Sequence, residues 1–381
     1  MDLGYDQLQQ QTRGYLVQLH IADLHFGAMN PKRQYELLME QFFTPSLQLQ
    51  KLDVIAVDGD IFDHKVMSNS DTAMYATMFV EKLAELARNK NATLVLLAGT
   101  YSHDYDQLKL FYHYLEDPSI DIRIITTIQF EMIKGARVLC IPELYGVEEE
   151  IYQKYFFHSD WYDEAFIHGT FQGAVYGDNV GNSRLLTPED FIYCKGVAIS
   201  GHVHKSGCFN GFYYYCGCPY RWKFGEEESK GFLVLVHDLD TQIHYVEFKE
   251  IKSDRYITLT VDDLTSQDPQ VIINYLEKMR YDTGAEFVRI KVTDNHITGN
   301  SKTIISQYYR NNKSTFIEFN SGKSNKLDKD NLSEKVQDSY NYVVDDKISD
   351  LERFVMFVND NEGQQFVTVD KLKEILNSDI L

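Results

Sequence analysis

Five short polar segments carry the residues that could do chemistry together. They are Asp23-Leu24-His25, Gly59-Asp60-Ile61-Phe62-Asp63, Ser102-His103-Asp104, His168-Gly169 and Gly201-His202-Val203-His204. Each follows an apolar run. Their carboxylate oxygens and imidazole nitrogens suit Mn²⁺, Fe²⁺, Zn²⁺ or Mg²⁺. In Asp23-x-His25 both ligands could lie on one side of an extended segment and reach one ion. His202-x-His204 could set two imidazoles side by side, one for each of two ions. Asp60, at the end of a buried strand, could bridge both ions with its two carboxylate oxygens. Glycines 27, 59, 169 and 201 would let backbone come close to such a centre. Two cations about 3.5–4 Å apart would clamp a phosphate, activate a water and stabilise a leaving oxygen.

A lone buried His or Asp is more often a hydrogen-bonding group of the core than a ligand. His20, His64, His113, His158 and His237 are read in that way. The joint pattern of the five segments is what points to a shared metal site. Cys208, Cys216 and Cys218 contain no regular Cys-x-x-Cys pair and do not spell a structural zinc site. Asn30, Lys32, Arg33, Arg221 and Lys223 are candidate contacts to a phosphate backbone, although each taken singly reads as an ordinary solvated side chain.

The elements that must position these residues alternate. Apolar strand-like runs at Tyr15–His25, Leu52–Asp63 and Ala92–Asp104 each end in a polar turn. Helical spacing of apolar residues covers Pro31–Leu49 and Thr72–Asn89. Further strands are expected at 122–125, 137–141, 165–168, 196–199, 212–216 and 231–237. Alternation of this kind implies an α/β layered domain with both sheet faces covered. In open α/β sheets, active sites form just beyond strand ends, where the polar segments fall. The composition shifts near Ser253. A small α+β unit is expected beyond it, then a polar linker (SGKSNKLDKDNLSEK) and two amphipathic stretches near the C-terminus.

The chain has 381 residues, 44% of them hydrophobic and 25% charged, so it is long enough for more than one packed unit. The net charge of −20 argues against sequence-independent attraction to nucleic acid over the whole surface. It leaves room for a local site whose metals attract phosphate. No apolar run approaches the roughly 18 to 20 residues needed to span a bilayer. The polar start, MDLGYDQLQQQTRG, lacks the apolar stretch of a secretory signal. Five cysteines, an odd and sparse number, read as reduced thiols in a cytoplasmic protein.

The order Asp-x-His, Gly-Asp-x-x-Asp, His-Asp, His-Gly and Gly-His-x-His resembles the calcineurin-like metallophosphoesterases. The stretch YYYCGCPYRWKFGEEESKGFLVL, Tyr213 to Leu235, resembles the Y-x-G-S-P … F-G-E … K-G-F stretch of the SbcD-type nuclease branch. The resemblance implies a layered β-sandwich flanked by helices over residues 1–252 and a capping domain over 253–320. A linker would cover 321–344, and a helical ATPase-binding tail 345–381. It implies that Asp23, His25, Asp60 and His204 hold one ion and Asp60, His168 and His202 a second. His103 would protonate the leaving oxygen or steady the phosphate, and Asp104 would orient His103.

One departure is plain. The family writes Gly-Asn-His followed by Asp or Glu, with the Asn a ligand of the second ion. This chain writes Gly99-Thr100-Tyr101-Ser102-His103-Asp104. Ser102 is read as standing in the Asn place, which would weaken the second ion or let a water replace the amide.

The implied activity is a two-metal DNA nuclease using Mn²⁺, with Mg²⁺ as an alternative. It would be a 3′-to-5′ exonuclease and an endonuclease, hydrolysing phosphodiesters by a metal-bound hydroxide in end processing, recombination or repair. The implied partners are DNA, an SbcC-type ATPase and a second copy of the chain. The dimer would form through helices near Thr72–Asn89 and Gln107–Leu115. The expected location is the cytoplasm of a bacterium or of a phage-infected host. Alternatives are a phosphatase or cyclic-nucleotide phosphodiesterase on the same site, or a weakly active scaffold that recruits the ATPase.

Overall fold

The computed structural model describes residues 13–319, apart from 45–46, 48–50, 145–148, 158–159, 175–183, 227 and 294–295. The expected linker and tail, and His158, lie outside the described residues.

The apolar runs become the central strands of two six-stranded sheets. The first comprises β1 (Tyr15–Ile21), β2 (Val54–Asp58), β3 (Thr93–Leu97), β4 (Asp121–Ile125), β11 (Lys230–Asp238) and β12 (His244–Ile251), in the order β12-β11-β1-β2-β3-β4. Strands β1 to β4 run parallel, and β11 pairs antiparallel to β1. The second comprises β5 (Gln129–Ile133), β6 (Ala136–Ile141), β7 (Tyr162–His168), β8 (Cys194–Gly201), β9 (Gly207–Phe209) and β10 (Tyr213–Tyr215). Its order is β5-β6-β7-β8-β10-β9. Here β6, β7, β8 and β10 are parallel.

The sheets face each other across a largely apolar layer. Leu16, Val54, Ala56, Val95 and Leu97 of the first meet Val138, Cys140 and Phe166 of the second. Helices cover the outer faces. Pro31–Gln41 (α1) and Asp71–Lys90 (α2) bury Leu37, Leu38, Phe79, Val80 and Leu83 against the first sheet. Glu149–Phe156 (α3) buries Tyr152 and Phe156 against the second. The α/β layered fold expected from the sequence is therefore present. Both long helices start at side-chain caps: Asn30 Oδ1 accepts from Arg33 N at 3.1 Å and Ser70 Oγ from Ala73 N at 3.2 Å. The segment Tyr105–Glu116 is a 3-10 helix.

Strands this apolar still bury a polar thread between the sheets. His20 Nδ1 lies 2.8 Å from Asp58 Oδ2, and His237 Nδ1 lies 2.6 Å from Glu164 Oε1. Gln18 joins the two pairs, donating to Glu164 and meeting His20 Nε2 at 3.3 Å. His20 and His237 are thus core hydrogen-bonding groups, as expected of single buried histidines.

The smaller unit has its own core, built on Ile272, Leu276, Val288, Ile290 and Ile305. Its strands β13 (Tyr256–Val261), β14 (Phe287–Val292) and β15 (Thr315–Phe319) are parallel and alternate with α4 (Pro269–Thr283) and α5 (Gly299–Tyr309). The expected α+β unit is therefore a β-α-β-α-β unit. Parallel neighbours need a crossover, and the two helices supply it. Phe224 links the units: its ring packs edge-on to Tyr256 and Phe316, with centroids 5.4 and 5.6 Å away.

Candidate metal centre

Every candidate ligand leaves the end of a parallel strand. Asp23 and His25 follow β1, Asp60 follows β2, and Thr100 and His103 follow β3. Glu143 follows β6, His168 ends β7, and His202 and His204 follow β8. Parallel neighbours deliver their exits to one edge, so each sheet contributes one cluster to the same place.

The backbone there is unusual. Asp23, His25, Asp60 and His202 have φ of 53°, 42°, 55° and 83°. Left-handed conformations at non-glycine residues cost on the order of 1–3 kcal/mol each and persist only when the surroundings over-determine them. Hydrogen bonds do so here. Asp23 N donates to Gly59 O at 3.0 Å, and His25 N to Asp60 O at 2.9 Å. His202 N donates to Asp23 Oδ1 at 3.0 Å. Asp23 and His25 therefore do not converge from an extended segment, as expected from their spacing. The chain turns through the left-handed region at both, which aims the two side chains. Gly59 shows why a side chain is excluded beside them: a Cβ would lie 2.1 Å from His168 Nδ1.

Two ligand groups meet at Asp60. On one side His25 Nε2 lies 3.1 Å from His204 Nε2 and 4.0 Å from Asp23 Oδ1. On the other, ligand atoms of Glu143, His168 and His202 lie within 4.8 Å of one another. Asp60 Oδ2 is 3.6 Å from His25 Nε2 and 3.3 Å from His168 Nε2. This oxygen lies between the groups, while Oδ1 accepts from Thr100 N at 2.6 Å.

A second rank orients the imidazoles. His168 Nδ1 lies 2.8 Å from the carbonyl oxygen of Asp58, which leaves Nε2 facing Asp60. His25 Nδ1 faces Asp63 Oδ1 at 3.6 Å, and His204 Nδ1 faces Glu226 Oε1 at 3.5 Å. Glu226 is held in turn by buried Lys230, whose Nζ is 3.8 Å from Oε2. The Glu and Lys of the F-G-E … K-G-F stretch thus stand behind a ligand histidine. Trp222 packs against His25 and His204, with ring centroids 5.0 and 4.9 Å away.

Electrostatics separate the members. Burial raises the pKa of Asp23 and lowers that of His25 to about 3. Burial also acts to raise Asp60, but His168 together with hydrogen bonds from His103 and His168 holds it well below the usual carboxylate range. Burial acts to lower His168, yet Asp60 carries it well above the usual imidazole range. Burial and Asp60 push Asp104 up to about 7. Glu143 is pulled down to about 2, because His202 and His168 outweigh its burial.

Of the residues singled out from the sequence, Asp23, His25, Asp60, His168, His202 and His204 come together, and His103 joins them. His103 Nδ1 lies 2.9 Å from Asp60 Oδ2. Two expectations fail. Ser102 is exposed, with its side chain at the surface of the loop. Thr100 lies in the site instead, its Oγ1 3.1 Å from Asp60 Oδ2 and 2.8 Å from Glu143 Oε2. The two additional residues of this loop therefore fall after the ligand position and loop outward. Asp104 does not orient His103. Its carboxylate accepts from the backbone N–H groups of Asp60, Phe62 and Gly99 at 2.9, 3.1 and 2.8 Å.

Glu143 was not visible as a site residue in the sequence reading, although Pro142-Glu143 is also a polar exit after an apolar run. The candidate phosphate contacts have work within the chain. Asn30 caps α1, Arg33 pairs with Asp254 at 2.8 Å, and Arg221 donates to Glu226 O at 2.9 Å. Lys32 and Lys223 lie near Glu36 and Glu226 at 3.8 and 3.9 Å.

The donor set fits divalent cations. Hard carboxylates and imidazoles converge, and Glu143 Oε1 is buried without a hydrogen-bond partner. Carboxylates this deeply buried call for a compensating positive charge.

No family model matches the chain, and no curated protein matches it. Solved structures do match it, among them a crystal structure at 12% identity that covers 62% of this chain and 100% of its own, with a TM-score of 0.38. Likeness at that level carries no functional argument. Among the described residues, no helix is long and apolar enough to cross a membrane.

Proposed function

We propose that this chain is a Mn²⁺-dependent DNA phosphodiesterase, the nuclease subunit of an SbcD-type complex. The observation that carries the reading is Asp60 Oδ2, placed 3.6 Å from His25 Nε2 and 3.3 Å from His168 Nε2. One carboxylate oxygen between two ligand groups is what a two-cation centre requires. Asp23, His25, Asp60 and His204 would hold one cation, and Asp60, His168 and His202 the other. When bound, the pair supplies Lewis acidity to a phosphoryl oxygen and lowers the pKa of a water.

The chain's own residues do the rest. A hydrogen bond to the Asp58 carbonyl keeps His168 Nε2 aimed at the centre, while Asp63 and Glu226 stand behind His25 and His204. His103, whose Nδ1 lies 2.9 Å from Asp60 Oδ2, stands where it would give a proton to the leaving oxygen. Asp104 ties the loops of Asp60 and Gly99 together by accepting from their backbone N–H groups. The overall charge of −20 leaves local attraction of phosphate to the centre itself. An SbcC-type ATPase would dock on residues 345–381, and deletion of that tail should abolish co-purification while leaving cleavage of short single strands.

The test is hydrolysis by metal-stripped protein with Mn²⁺ restored. Substrates are linear duplex DNA, single-stranded DNA, and the p-nitrophenyl mono- and diesters of phosphate. Mn²⁺-dependent cleavage of DNA and of the diester is expected. Turnover of the monoester alone would make the protein a phosphatase. No turnover on any substrate would leave the reading without support and favour a scaffold.

A further inference from the structure

We propose that Glu143 is a protein ligand of the second cation, filling with Thr100 the place that an amide side chain would otherwise take. The inference rests on the two-cation reading above. Four observations carry it. Glu143 is 5% exposed, on a coil just past β6, so it leaves the same sheet edge as His168 and His202. Its Oε2 is 3.4 Å from His202 Nδ1 and belongs to a group with His168 whose ligand atoms lie within 4.8 Å of one another. Its Oε1 is buried with no hydrogen-bond partner. A carboxylate left half-satisfied in a buried site is costly unless something else meets it.

Thr100 supplies the fourth observation. Its hydroxyl lies 2.8 Å from Glu143 Oε2, 3.1 Å from Asp60 Oδ2 and 3.4 Å from His168 Nε2. One hydroxyl proton cannot serve two ionised carboxylates at once. Two carboxylate oxygens drawn to one hydroxyl need a positive charge between or beside them. A threonine is also too short to reach across as a longer amide side chain would. The strand β6, not β3, therefore delivers the missing oxygen. The exchange replaces a neutral ligand with an anionic one. The second site gains a negative charge, so its cation is held more tightly and hard ions such as Mn²⁺ and Mg²⁺ are favoured. This reverses the weak second ion expected when Ser102 is taken as the ligand.

The experiment titrates metal-stripped full-length protein with Mn²⁺ alone, following free Mn²⁺ by electron paramagnetic resonance and heat by calorimetry. Wild type should bind two ions. Glu143→Gln should bind one of them at least about tenfold more weakly, the scale on which lost supporting groups act at metal sites. The other ion should be unchanged. Thr100→Ala should weaken the second ion by less than Glu143→Gln does.

If wild type binds fewer than two ions, the two-cation reading itself falls. If wild type binds two and Glu143→Gln binds both as tightly, only the role of Glu143 falls. Crystals of wild type soaked in Mn²⁺ settle the matter without a variant. Anomalous density for the second ion with a Glu143 oxygen in its coordination sphere is expected. An ion there that Glu143 does not touch would overturn the assignment.

Discussion

The two halves of the centre are built from the same parts in different ways. The half formed by Asp23, His25 and His204 comes from a tight strand exit and a distant histidine, with Asp63 and Glu226 behind the rings. The half formed by Glu143, His168 and His202 draws on three neighbouring strands of the second sheet, with a backbone carbonyl behind His168. On the proposed assignment, the first half keeps every residue that the resemblance leads one to expect, and the second exchanges one. A site delivered by strand exits tolerates such an exchange, because any neighbouring strand that ends at the same edge can supply the oxygen. Asp60 cannot be exchanged in this way, since its Oδ2 faces ligand atoms of both halves.

The largest effect therefore belongs to Asp60→Asn. It removes the charge shared by both halves, and turnover should fall by more than about a hundredfold, about 3 kcal/mol in barrier. Steady-state rates at saturating Mn²⁺ check this. Near-normal turnover would break the comparison, because the halves would then be independent.

His103→Ala comes next. His103 touches Asp60 yet is assigned to the leaving group, so turnover should fall by about a hundredfold, the lower range for a lost general acid. Calorimetry should still count two Mn²⁺ ions. Loss of an ion would move His103 from the chemistry into the first ligand group, beside His25.

Asp104→Ala tests what holds the halves together. Three backbone N–H groups would lose their acceptor. At roughly 1 kcal/mol for each, unfolding in urea should show a loss of about 3 kcal/mol. Mn²⁺ binding should weaken in both halves together. A loss confined to turnover, with stability intact, would restore Asp104 to the role of orienting His103.

Much of this was legible in the sequence for a physical reason. A buried parallel strand must be apolar along its length, so a sudden His or Asp marks its exit, and parallel exits meet at one edge. That logic brought out six of the residues that converge. It passed over Glu143, because one glutamate behind a proline looks like any loop residue until β6 is known to lie beside β7. Backbone handedness was also hidden. Asp23 and His25 sit at positive φ, and nothing in Asp-x-His distinguishes that from an extended segment. The strands β5, β9 and β12 were not expected, since all three are mostly half-buried and lack an apolar run. The parallel order of the small unit depends on contacts that periodicity does not encode.

The smallest expected effect is the most informative about reading such sequences. Ser102→Asn restores the family's amide at the residue before His103, where a simple count from His103 would put it. If the count were the right guide, the Mn²⁺ concentration for half-maximal activity would fall. The fold argues otherwise. Gly99 N donates to Asp104 and Thr100 N to Asp60, so the loop is pinned at its start, and the residues beyond Thr100 turn outward. Ser102 is exposed, and an amide placed there meets solvent. The half-maximal Mn²⁺ concentration should stay within about twofold of wild type, as for an ordinary surface change. Thr100→Asn, at the pinned position, should shift it further than that in either direction, because it displaces the hydroxyl between Asp60 and Glu143. A larger shift for Ser102→Asn than for Thr100→Asn would mean that the loop is counted from His103, and the second half of the centre would then match the family's pattern after all.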